Sequence, residues 1–273
     1  MLDWFKQLDR LLRGDATRPE LLRQGSVDIP LGPITVISIL LGIIYGICMG
    51  VFSLTASGSH DPRQMIAAAI KVPALFFLTL LVTFPSLYVF NALVGSRLGL
   101  VSVLRLLVAS ISIMITVLAS LGPIVAFFSL TTTSYPFMKL LNVAVFAISG
   151  FLGCAFLLRT LERLTAALEP PAHAAPLTTT ASGSIDAPPV PPEGAQSLPP
   201  ALPRVFSTPP TRPANNVRTI FQIWVIVFGL VGAQMGWILR PFIGNPTQPF
   251  EWFRPVDSNF FQAVWRSLEN LFQ

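Results

Sequence analysis

Residues 34 to 54 read ITVISILLGIIYGICMGVFSL, 21 positions without one Asp, Glu, Lys or Arg. An apolar helix needs about 20 residues to cross a hydrocarbon core about 30 Å thick, so this stretch predicts a transmembrane helix. Gly42, Gly46 and Gly50 fall four apart within it. Glycines at that spacing leave a bare stripe where another helix backbone can come close, which predicts a place inside a helix bundle.

Four more gaps without Asp, Glu, Lys or Arg lie further along: Lys71 to Arg97, Arg105 to Lys139, Lys139 to Arg159, and Arg218 to Arg240. Of the 273 residues, 52% are hydrophobic and 11% charged, against about one quarter charged in an ordinary soluble domain. A soluble globular enzyme is excluded. The expected fold class is an all-α integral membrane protein with five transmembrane helices, a four-helix block plus one helix after a long linker, and amphipathic interfacial helices at both ends. Pro73 is expected to start the second span, near 73–93, and Pro85 to bend it. Pro123 interrupts the third gap, which is longer than one straight crossing needs and predicts a tilted or kinked helix. The fourth span is expected near 140–158. The fifth, near 220–239, carries Gly232 and Gly236 four apart with Gln234 between them.

Four segments follow. Residues 1–30 form a cytoplasmic amphipathic segment: Leu2, Trp4, Phe5, Leu8, Leu11 and Leu12 fall at near-helical spacing against Lys6, Arg10 and Arg13. A second short helix is expected from Thr17, with Pro19 in its first turn and Gly25 past its end. Asp3, Asp9, Asp15, Glu20 and Asp28 precede the first apolar run, so the N-terminus does not read as a cleavable signal. Residues 31–165 are the four-helix transmembrane block. Residues 166–216 are a disordered Pro-rich cytoplasmic linker; 13 of the 25 prolines lie between 170 and 213, and such a composition buries too little apolar surface to fold. Residues 217–273 are the fifth transmembrane helix with an aromatic tail. Phe250, Trp252 and Phe253 are typical of an interfacial belt, and Asp257 is the expected N-cap of a last helix with Phe260, Phe261, Val264, Trp265, Leu268, Leu271 and Phe272 on one face.

Orientation follows from the cations. With the N-terminus inside, Arg63, Lys71, Lys139, Arg240, Arg254 and Arg266 face the opposite side, six of the 18 Lys and Arg, and the other twelve are cytoplasmic. That ratio favours a cytoplasmic N-terminus and linker, with the C-terminus across the membrane.

Reaction chemistry is scarce. His60 and His173 have no carboxylate or cysteine cluster beside them, and Cys48 and Cys154 lie in apolar spans without a partner at ligand spacing. No His-Glu-x-x-His run, P-loop, dinucleotide fingerprint or Gly-x-Ser-x-Gly elbow occurs. No catalytic, cofactor-binding or metal site is expected, and no nucleic-acid surface, since the basic residues are scattered. By the gap reading no Asp, Glu or Lys lies within a span, and Arg105 is the one ionisable candidate, near enough to a span end to snorkel. Asn91, Asn142, Gln222 and Gln234 are neutral polar groups able to bond between helices, and Asn91, Arg105 and Gln234 are the candidates to line a pore. Gly42, Gly46, Gly50, Gly232 and Gly236 are the expected helix-packing residues. Arg240, Pro241 and Gly244 are the expected structural turn: Pro241 stops the helix, Arg240 snorkels or pairs with the last helix carbonyls, and Gly244 permits a left-handed turn.

The run Gly236, Trp237, Ile238, Leu239, Arg240, Pro241, Phe242, Ile243, Gly244, with the aromatic tail after it, resembles the C-terminal end of a family of uncharacterised bacterial multi-pass inner-membrane proteins. The segment with Pro85, Tyr88 and Asn91 is similar to bacterial Yip1-type proteins. The first resemblance implies a bacterial cytoplasmic-membrane setting; neither implies an enzyme.

Packing chemistry without reaction chemistry points to a non-enzymatic multi-pass membrane protein, a scaffold, assembly factor or subunit of a membrane complex. Its expected partners are the lipid bilayer and other membrane proteins or a second copy of itself. The alternative is a channel or permease-like transporter of a small solute, working through the kinks at Pro85 and Pro123.

Overall fold

A computed structural model describes residues 2–13, 30–55, 62–93, 100–168, 213–244, 248–255 and 258–272. These form helices with no strand among the described residues: α1 (Leu2–Leu12), α2 (Leu31–Gly50), α3 (Phe52–Thr55), α4 (Pro62–Leu93), α5 (Leu100–Thr131), α6 (Tyr135–Leu168), α7 (Pro213–Ile238) and α8 (Phe260–Phe272). Four stretches are long and apolar enough to cross a membrane: Leu31–Thr55, Pro62–Ser86, Val101–Thr131 and Tyr135–Thr160. On α7 the apolar stretch, Gln222–Ile238, is shorter. The short helix expected from Thr17, both histidines and the linker between Leu168 and Pro213 lie outside the described residues.

The second span departs from expectation. It begins at Pro62 rather than near Pro73, and Pro73 and Pro85 both lie inside α4. An interior proline removes one backbone donor and crowds the preceding turn. At Pro73 the ring is turned to use: a Cβ on Gly42 would lie 3.2 Å from Pro73 Cβ, so α2 packs straight onto it. Pro123 likewise lies within one continuous helix, α5. Both α4 and α5 have 32 residues, about 48 Å at 1.5 Å per residue, more than one straight crossing requires.

The glycine stripe of α2 faces α4. A Cβ on Gly46 would sit 2.6 Å from Ala68 O, and one on Gly50 2.7 Å from Met65 Cα. These pairings fix α2 and α4 as antiparallel. On its other side α2 runs parallel to α5, with Ser38 Oγ 2.8 Å from Ser112 Oγ and Thr55 Oγ1 donating to Ser129 O at 2.7 Å. Helix α6 runs antiparallel to α5: Ser110 Oγ donates to Gly153 O at 2.7 Å, and Ser149 Oγ donates to Met114 O. Helix α7 runs antiparallel to α4, where Trp224 Nε1 donates to Thr83 O at 3.3 Å and Gly232 faces Thr79. The long helices therefore alternate in direction along the chain. Five ends meet at one end of the bundle: the C-termini of α2, α5 and α7, and the N-termini of α4 and α6.

Tyr45, Phe52, Leu106, Ile115, Leu118 and Trp224 belong to a single apolar core in which each is at most 1% exposed. Small helix α1 docks against α2 and α5, with Leu8 and Leu11 buried, while Phe5 and Leu12 stay exposed.

Candidate functional site

The end of the bundle where the five helix ends meet is closed by the chain after α7. Leu239 N donates to Met235 O at 3.0 Å as the last helical bond; Pro241 has no N–H to continue the ladder. The chain turns there through a cis Arg240–Pro241 peptide bond and runs back over α4. Gln64 Nε2 donates to Pro241 O and to Phe242 O, each at 3.0 Å. Lys71 Nζ donates to Pro241 O at 3.1 Å and also to Trp252 O, and lies 5.0 Å from the centre of the Phe253 ring. Lys71 is 3% exposed.

That placement corrects the reading in which Lys71 marks the edge of a span. It lies nine residues into α4, about 14 Å from the helix start, so a lysine does enter a span. A buried ammonium is tolerable when its donors are met by acceptors. Here the tail supplies carbonyls, which are otherwise orphans of an irregular chain.

The expected turn residues have different partners from those foreseen. Arg240 bonds not to helix carbonyls but to the tail, donating from Nη2 to Pro255 O, with its guanidinium 3.9 Å from the Trp237 ring centre. Gly244 has no left-handed φ; its lack of a side chain matters because a Cβ there would come 2.8 Å from Ser53 Cβ. Helix α8 then folds beneath the tail. Its expected single apolar face is split, with Phe260, Ala263, Val264 and Ser267 turned to the bundle and Phe261, Trp265 and Leu268 exposed.

Beneath this closure, a cavity of about 660 Å³ runs between α4, α6 and α7. Its walls include Phe76, Phe146 and Val225, and its upper rim Lys139, Arg240 and Arg254. Lys139 Nζ lies 5.0 Å from the Tyr135 ring centre. Among the described residues none of Lys71, Lys139, Arg240 and Arg254 is salt-bridged to a carboxylate. The rim is strongly cationic.

The three expected pore residues do not converge. Arg105 sits level with the start of α2, seven residues before Ser112, whose hydroxyl meets Ser38; that is the end of the bundle away from the tail. Gln234 is half-buried on α7 but does not line the cavity. The side chain of Asn91 lies outside the described residues. The polar group that does reach the cavity is Asn142, whose Oδ1 accepts from Tyr45 Oη at 2.8 Å. Lys139 and Asn142 share one face of α6 at i and i+3, a signal available in the sequence. Nothing local in the sequence could reveal the partnership of Lys71 with carbonyls 170 and 181 residues away.

No protein-family model matches the chain, and no curated protein or solved structure is similar to it.

Proposed function

We propose that the protein is a non-enzymatic multi-pass membrane protein, a scaffold or subunit that offers its docked tail to other membrane proteins. One observation carries the reading: the buried polar side chains are spent on holding the fold together. Ser38, Tyr45, Ser110, Asn142 and Ser149 bond between helices, and Gln64 and Lys71 bond the tail. Interhelical bonds of this kind contribute on the order of 1 kcal/mol each in a bilayer. The device stabilises a rigid end from which Trp252, Phe253, Phe261, Trp265 and Leu268 project into the surroundings.

In this reading the alternating helices α2, α4, α5, α6 and α7 make five crossings, α1 and α8 lie in opposite interfaces, the cation ratio favours a cytoplasmic N-terminus, and the resemblance of the run from Gly236 to Gly244 implies a bacterial inner membrane. The small-solute permease alternative draws no support from the scattered positions of Arg105 and Gln234.

A photo-crosslinking residue at Trp265, compared with one at the buried Ser267, tests the reading in native membranes. A discrete protein adduct of fixed size at position 265 and none at 267 is expected. Lipid adducts alone at 265 would overturn it.

A further inference from the structure

The cavity between α4, α6 and α7 is not filled by the chain. A Cβ added at Gly150 or at Gly229, both on its wall, would meet no protein atom within 4 Å. Its volume of about 660 Å³ falls in the ~300–1,000 Å³ range of pockets that enclose an organic molecule. Phe151, on the same wall, is 74% exposed, so the cavity opens sideways along α6 to whatever surrounds the bundle.

Its two ends differ in chemistry. From Val225 to Trp237 the wall runs 12 residues along α7, about 18 Å, more than half of a ~30 Å hydrocarbon core. Over that length Phe76, Phe146, Val225 and Phe228 make a mostly apolar surface, in which Thr79 and Asn142 are the polar side chains. At the rim, Lys139, Arg240 and Arg254 gather. Among the described residues their partners are neutral: the Tyr135 ring for Lys139, the Trp237 ring and Pro255 O for Arg240, and Pro249 O, 3.4 Å away, for Arg254. Three like charges beside a low-dielectric wall repel one another, and an anion among them removes that cost. Guanidinium groups suit phosphate in particular, because their planar fork can donate two parallel hydrogen bonds.

We propose that this cavity binds one anionic phospholipid, with an acyl chain along the apolar wall and its phosphate among Lys139, Arg240 and Arg254. The length of the wall matches a chain reaching from the headgroup level towards the midplane, and the side opening at Phe151 gives it entry from the bilayer. A zwitterionic lipid brings its own cation to a rim that already has three, so a net negative headgroup is preferred. Lys71 is not part of the site; the tail carbonyls occupy it.

The test uses the full chain in nanodiscs of equal parts phosphatidylglycerol and phosphatidylcholine, released into native mass spectrometry. One retained phosphatidylglycerol per chain is expected, preferred about tenfold or more over phosphatidylcholine. Gly150→Leu with Gly229→Leu fills the cavity and should lower retention at least about tenfold at unchanged helical content. Lys139→Gln with Arg254→Gln leaves the cavity open, so lipid is retained but the preference falls towards parity. Equal retention of the two lipids by the native chain, undiminished retention after filling, or an unchanged lipid ratio in the charge variant would each overturn the proposal. The ratio is read on folded, lipid-bound protein, so the charge variant decides even where the filled variant fails to fold.

Discussion

Two seams of this bundle are built from the same residue type and do opposite things. Along α2 and α4, glycine brings backbones into contact: a Cβ on Gly46 would lie 2.6 Å from both Ala68 O and Ala69 Cα. Along α6 and α7, Gly150 and Gly229 face open space. The first seam is shut by apposition of two helices and sealed at its upper end by the tail. The second is looser because α7 leans mainly on α4 and α6 mainly on α5, so the two meet over only a short stretch, with α8 packed against both. A glycine in an apolar helix thus reports close approach in one place and a vacancy in the other, and the difference lies wholly in the neighbours.

Substitution at the tight seam should separate the two most sharply. Gly46→Leu drives a side chain into the backbone of α4, where overpacking costs about 1–3 kcal/mol and more when the neighbour cannot move; denaturant titration in detergent should find little folded protein. Next in size is the seal. Lys71→Met removes the donor to Pro241 O and Trp252 O, hydrogen bonds to a charged group worth about 1.5–3 kcal/mol, so chymotrypsin cleavage after Trp252 should speed up about tenfold or more while the bundle stays helical. Unchanged cleavage would mean that the tail is held elsewhere. A smaller loss is expected from Tyr45→Phe, which takes the hydroxyl from Asn142 at the cost of about 1 kcal/mol. The smallest effect has the opposite sign: Gly150→Ala adds a methyl where nothing is touched and removes the helix penalty of glycine, stabilising by about 0.5–1 kcal/mol. If Gly46→Ala and Gly150→Ala changed stability alike, the contrast between the seams would collapse.

Much of the bundle is legible in the sequence, because the bilayer makes helix length and charge-free runs into strong constraints. The run 34–54 and its glycine stripe announce a helix in close contact with another. Which helix it meets is not written there, since Ala67, Ala68 and Ala69 on α4 give no periodic signal of their own. Lys71 hides the start of α4 in the sequence: a charge reads as the end of a span, whereas carbonyls brought in from the tail let the helix keep it buried. The turn after α7 is legible from Pro241, but the need for glycine at 244 comes from Ser53, a contact between distant parts of the chain. The cationic rim was legible only as scattered arginines and lysines counted for orientation; their convergence appears once α6, α7 and the tail share one end.

The central claim is that α7 and its tail close on the chain's own α4, sealing one seam and leaving the other open. Disulfide formation between Thr79→Cys and Gly232→Cys, in a background with Cys48 and Cys154 replaced, tests it most directly. A Cβ at 232 would lie 3.5 Å from Thr79 Cγ2 and 3.9 Å from Thr79 Oγ1, with Thr79 Cβ beyond 4 Å, so the two side chains touch and a small shift brings the Cβ atoms within the ~3.5–4.5 Å that a disulfide needs. Mild oxidation in native membranes should give a crosslink within one chain, read as a monomer whose two halves stay joined after cleavage in the 169–212 segment. A crosslinked dimer, or halves that separate, would contradict the account.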